Sequence, residues 1–156
     1  NKDNHVYLVG DSAGGGMCLP ILKKLDSINQ KVEGVFLLSP WLDVTMSNKE
    51  IDNLQAFDVI LKKEDLIECG NLYSNNQPKH LDASPIYDDY SKYHNIQIFT
   101  GTFDILYPDI EKFYHSNPKT ILQVFHQAPH DFMLFPYTKE RKLVIQMISK
   151  ALNSET

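Results

Sequence analysis

"VYLVGDSAGGGM", Val6 to Met17, decides how the rest of the chain is read. A run of β-forming residues ends in glycine, a serine follows among small residues, and helical spacing begins at once. Two chemistries compete for such a segment: glycines that cradle a phosphate, or a serine nucleophile on a tight turn. The phosphate reading lacks the Lys-Ser/Thr pair of a P-loop and the G-x-G-x-x-G spacing of a dinucleotide site. Gly10, Ser12 and Gly14 instead form G-x-S-x-G between a strand and a helix, the context that motif requires. On this reading the turn is so sharp that side chains on either side of Ser12 would collide, hence the two glycines. The backbone amide of Ala13, in the first turn of the helix, faces the place where an oxyanion would form.

Working outward, "SAGGGMCLPILKKLDSIN" continues as a helix with Met17, Ile21, Leu22, Leu25 and Ile28 on one face. Pro20 is expected to kink it or make its first turn irregular. "VEGVFLLSP", "NIQIFTG" and "TILQVFH" are further strands, each with the apolar density of a strand covered on both faces. "YTKERKLVIQMISKAL" closes the chain as an amphipathic helix, with Leu143, Met147 and Ile148 on its buried side. The alternation of strands and helices predicts an α/β fold with a mostly parallel sheet flanked by helices. Between the second and third strands, residues 41–95 form a turn-rich insertion with one helix, "KKEDLIECGNLYSN", in which Leu66, Cys69 and Tyr73 recur at helical spacing. A long excursion leaving the end of one parallel strand and returning to the next lies at the edge where α/β proteins bind ligands, so a cap or lid is expected there.

Bulk properties set limits. The 156 residues, 42% hydrophobic and 11% aromatic, suffice for one core and one domain. A net charge of −5 without any dense Lys/Arg cluster argues against nucleic acid as a partner. Only Cys18 and Cys69 are present, in separate predicted helices, which fits neither a disulfide framework nor a zinc ligand set. A reducing, cytoplasmic location is the expectation, with no membrane span and no cofactor.

A serine at its free pKa is a weak nucleophile, so the motif demands an acid and a histidine further on, in the order Ser, acid, His. "IQIFTGTFDILYPD" puts Asp104 just beyond a predicted strand, and "VFHQAPHDFMLFP" puts His130 in the loop after the last one. Asp104 would hold one ring nitrogen of His130 and leave the other to take the serine proton. His126 is a rival base, expected to close its strand and point into the fold. Asp109 and Asp131 are rival acids, Asp109 being expected to cap the helix "PDIEKFYH". His126, His130 and Asp131 do not make a set of three ligands at a convincing spacing, so no metal is expected. Trp41, Phe57, Tyr107 and Phe132, in loops next to these residues and the insertion, are the expected walls of a substrate pocket for small to medium acyl groups.

"GDSAGGG", "LLSPWLDVT", "ASPIY", "GTFDILYPD" and "HDF" together resemble successive motifs of the hormone-sensitive-lipase-like esterase/lipase branch of the α/β-hydrolases. The resemblance extends from Val6 to the closing helix. It implies a Ser12, Asp104, His130 triad and carboxylic ester hydrolysis through an acyl-enzyme. Asp131 stands where glycine is more usual, a departure that alters the local field and keeps the base. The family's His-Gly-Gly segment, whose amides complete the oxyanion hole, has no counterpart here, and neither do the strands beneath it. The resemblance is therefore to the C-terminal half of such an enzyme, a single N-terminally truncated domain over 1–156. An exposed first strand is expected, inviting self-association or pairing with the missing half. The alternative to an enzyme is a catalytically impaired half-domain that serves as a binding or interaction module.

Overall fold

The computed structural model describes residues 5–153. Strand β1 (Tyr7–Asp11) runs into helix α1 (Ser12–Ser27), and β2 (Gly34–Leu38) follows. The insertion carries the short α2 (Ile51–Leu54), α3 (Lys63–Tyr73) and a 3-10 turn over Pro85–Tyr87. Then come β3 (Ile96–Phe103), α4 (Tyr107–Ser116), β4 (Ile121–Pro129), a 3-10 turn over Phe132–Leu134 and α5 (Lys139–Asn153). The strands form one sheet in the order β1-β2-β3-β4, and all three pairings are parallel. This is the α/β architecture that the alternation predicts, and parallel pairing brings the carboxyl ends of all four strands to one edge.

Alternation along the central strands builds two cores. Val35 and Leu37 of β2 and Ile96 and Ile98 of β3 pack with Leu19 and Leu22 of α1 and Ile110 and Phe113 of α4. Phe36 and Phe99 face the other way, against Phe132, Met133 and Val144. Burial of each large side chain contributes roughly 1.5–3 kcal/mol, so these two layers fix the register of the sheet.

Several expected faces are rotated. On α1, Met17, Ile21 and Ile28 are exposed, and the buried set is Gly15, Gly16, Cys18, Leu19, Pro20 and Leu22. The reason is the close approach of the loop after β2: a Cβ on Gly16 would stand 2.2 Å from the Trp41 carbonyl oxygen, so this face, not the one through Met17, meets the fold. The helix is continuous through Pro20. On α3 the same logic holds, since Gly70 is pressed against the Val44 carbonyl and turns Cys69 and Tyr73 outward, leaving Leu66 packed on the core. On α5, Val144 is buried and Leu143 is half exposed, while Met147 and Ile148 pack on the second core as expected.

The insertion is tied down from several sides. Lys23 and Lys24 of α1 pair with Asp88 and Asp82, and Asp26 pairs with Lys92. Asp58 reaches the loop after β3, where Oδ2 accepts the Ile105 amide at 2.9 Å. No helix among the described residues is long and apolar enough to cross a membrane.

Candidate active site

Ser12 stands at the junction of β1 and α1 with φ at +50°, a left-handed conformation that a side-chain-bearing residue rarely adopts. The turn is held by Gly10, where an added Cβ would stand 2.4 Å from the Gly14 carbonyl oxygen and 2.8 Å from Cys18 Sγ. Gly14 corrects the sequence argument: a Cβ there meets nothing within 4 Å, so collision explains the first glycine of the motif and not the second. The Trp41 amide donates to the Ser12 carbonyl oxygen at 2.9 Å, locking the turn to the loop after β2. Ala13 is the second residue of α1, within the first turn, where amides have no intrahelical acceptor and the helix end favours negative charge.

Asp104 follows β3 and His130 follows β4, and the sheet brings both to Ser12. His130 Nδ1 lies 2.9 Å from Asp104 Oδ2, and Nε2 lies 3.0 Å from Ser12 Oγ. Asp104 is wholly buried and its Oδ1 accepts the Leu106 amide at 2.9 Å. Burial pushes its carboxyl above the ordinary carboxylate value, against the stabilising pull of His130, the Leu106 amide and the Ser39 hydroxyl. Burial also disfavours charge on the His130 ring, but Asp104 and Asp131 outweigh it and raise the ring to about 10. The arrangement can pass a proton from Ser12 to Nε2 whenever that nitrogen is free, with Asp104 holding the opposite edge of the ring.

The rivals occupy other places. His126 is exposed and lies within β4, rather than pointing into the fold, because the strand runs on to Pro129. Asp109 makes no capping bond. It is buried in the first turn of α4, where Oδ1 accepts Asn48 Nδ2 at 3.0 Å. Asp131 is not the acid on Nδ1 but approaches the other nitrogen, Oδ2 lying 3.2 Å from His130 Nε2.

The four aromatic residues expected around a pocket do not line one cavity. Trp41 is buried and, with Ala13, Gly16, Met17, Val44 and Tyr73, borders an apolar cavity of about 140 Å³. Phe57 stacks at the surface on Phe103, ring centres 5.1 Å apart, and Tyr107 donates to Glu111 beside a separate groove. Phe132 belongs to the second core, 4.7 Å from Phe125. Phe57, Tyr107 and Phe132 each found an aromatic or polar partner away from this cavity, which Trp41 alone of the four borders.

Two contributors escaped sequence reasoning. Ser39, fully buried with φ at +44°, accepts the Asp131 amide at 3.2 Å and favours the charged form of Asp104. Its signal was a serine directly after a buried strand. Asp58 accepts the amides of Ile60, Leu61 and Ile105, and so supports the residue next to Asp104 from the insertion. The D-x-I-L turn pattern was visible, whereas its third amide, 47 positions away, was not.

Residues 1–134 match the family described as the alpha/beta hydrolase fold. The chain belongs to that family. It is 25% identical over 158 aligned positions to an acetyl-hydrolase from Streptomyces hygroscopicus, covering 97% of this chain and 53% of that protein. An esterase from Acinetobacter venetianus is 28% identical over 116 positions, covering 72% of this chain and 38% of its own length. Among solved structures, a hormone-sensitive lipase from a metagenome library superposes with a TM-score of 0.83 at 26% identity, covering 91% of this chain and 50% of that one. The chain thus spans about half the length of the acetyl-hydrolase and of this lipase.

Proposed function

We propose that this chain carries the nucleophile, acid and base of a serine hydrolase that cleaves carboxylic esters of small to medium acyl chains. The observation that supports the reading is the relay from Ser12 Oγ through both nitrogens of His130 to Asp104, with separations of 3.0 and 2.9 Å. Neutral His130 takes the Ser12 proton as Oγ attacks the ester carbonyl. The Ala13 amide donates to the oxyanion, and the imidazolium then protonates the leaving alkoxide. Water, activated by the same ring, releases the acid from Ser12. The cavity beside Ala13 and Trp41 suits a short acyl group, and residues 41–95 serve as its cover.

The test is fluorophosphonate labelling followed by peptide mass spectrometry, with Ser12→Ala and His130→Ala as controls. Labelling at Ser12 that depends on His130 is expected. A folded chain that resists the probe overturns the reading. Turnover of p-nitrophenyl acetate and butyrate should exceed that of long-chain esters, and equal rates would discard the acyl pocket.

One observation favours a second reading, a binding module that associates through its sheet edge. Among the described residues β1 is an outer strand of the sheet, beside β2, and Val9 on it is 56% exposed. Self-association, or pairing with further strands of a whole hydrolase domain, would cover that edge. A well-dispersed monomer in size-exclusion chromatography contradicts self-association.

A further inference from the structure

Asp131 holds a left-handed backbone, φ 49° and ψ 32°, which glycine adopts freely and among other residues chiefly Asn and Asp tolerate. Its amide is fixed on Ser39 Oγ. The conformation turns the carboxylate back over the imidazole, with Oδ2 3.2 Å from His130 Nε2, the nitrogen that also lies 3.0 Å from Ser12 Oγ. Oδ1 is sealed from solvent and accepts no hydrogen bond. A carboxylate oxygen sealed from water and unmet by a donor is costly unless its charge is matched nearby, and the cation this carboxylate meets is the protonated ring.

We propose that Asp131 is a positioning residue that competes with Ser12 for the Nε2 proton of His130, restraining the ring as a base while stabilising it as an imidazolium. This rests on Ser12 being the nucleophile. A ring protonated at both nitrogens cannot accept the Ser12 proton, so Nε2–H must first be released to solvent. The carboxylate opposes that release. Once Ser12 has attacked, the same carboxylate stabilises the imidazolium that forms, so its effect on rate changes sign with pH.

The groups around the ring are few. Ser12 comes from the α1 end and Ser39 from the loop after β2, both neutral. Asp104 approaches from the loop after β3, and Asp131 from the ring's own loop. The insertion's Asp58 is engaged by backbone amides. The raised proton affinity of the ring, to which both aspartates contribute, agrees with this geometry.

The test compares the parent with Asp131→Asn and Asp131→Gly, both of which accommodate the left-handed backbone. Two readouts are taken from about pH 6 to about 10.5: the His130 ring titration by NMR with 15N-histidine, and the rate at which diethyl p-nitrophenyl phosphate phosphorylates Ser12. Both variants should lower the ring midpoint, and with it the acid limb of the rate profile, by about one pH unit or more. The profiles should cross, the variants reacting faster near neutrality and slower at the alkaline end of the range. A midpoint and profile that superimpose on the parent's overturn the proposal, as does a uniform fall in rate without a shift. A midpoint that moves in chains that no probe labels supports the pairing of Asp131 with the ring and removes the hydrolase reading instead.

Discussion

His130 Nε2 and Ser12 Oγ lie 3.0 Å apart although 118 positions separate the two residues. The parallel sheet accounts for this. β1 ends just before Ser12 and β4 just before His130, at one edge, with β2 and β3 between them. Asp104 follows β3, the strand beside β4, and meets the far ring nitrogen of His130, which stands between it and Ser12. The three side chains meet because three strand ends do.

Replacing Asp104 with Asn keeps the shape and removes the charge that faces Nδ1. The ring would lose the partner that fixes its tautomer, and Ser12 phosphonylation at pH 8 is expected to fall roughly ten-thousand-fold. The ring titration should drop with it, because the Asp104 carboxylate is one of the two charges that raise it. Rates of fluorophosphonate labelling check the first expectation, and NMR checks the second.

Asp58 accepts three amides, two within the insertion and one, that of Ile105, in the loop that carries Asp104. Asp58→Ala leaves them unpaired in a partly buried place, with an expected loss of about 3 kcal/mol in urea unfolding. Asp58→Asn can keep an acceptor toward Ile60 and Leu61, but turns an amide donor on the Ile105 N–H. It should cost less stability while still slowing Ser12 labelling, which separates support of the site from support of the fold.

Asp109 is 2% exposed, with one carboxylate oxygen bonded to Asn48 and the other without a partner. Burial raises it to about 6 from 3.8, the Asn48 bond opposing and the charge of Asp43 adding to the rise. A raised carboxyl stabilises the fold while protonated. That contribution is complete below about pH 4 and is lost as pH rises through about 6. Asp109→Asn, neutral throughout, should therefore be more stable than the parent at pH 8 by about 3 kcal/mol, roughly 6–12 °C in Tm, and equal to it near pH 4. Thermal melts at the two pH values decide it. A variant that is less stable at both would contradict the assignment.

The two glycines of G-x-S-x-G should respond oppositely to alanine. Gly10→Ala drives a methyl group into the Gly14 carbonyl and Cys18, with an expected loss of about 1–3 kcal/mol. Gly14→Ala meets open space inside a helix, where alanine is favoured by about 1 kcal/mol. Denaturant melts of the pair measure both signs.

The sequence by itself determined the order of strands and helices, the parallel sheet, the strand-turn-helix around Ser12 and the placement of Asp104 and His130 after strands. These depend on local causes: apolar period, β-branched runs, and glycine at a turn that leaves no room for a side chain. Only the tertiary structure decided which helix faces are buried. Met17, Ile21 and Leu143 follow the apolar period yet are exposed, because Gly16 against the Trp41 carbonyl and Val144 against the second core set the rotation of their helices. It also scattered Trp41, Phe57, Tyr107 and Phe132 to different partners, put Asp58 beneath the acid loop and turned Asp131 onto Nε2 of His130. Periodicity is written over a few neighbouring residues, whereas burial and ring contacts depend on which segments, tens of positions apart, compete for the same surface.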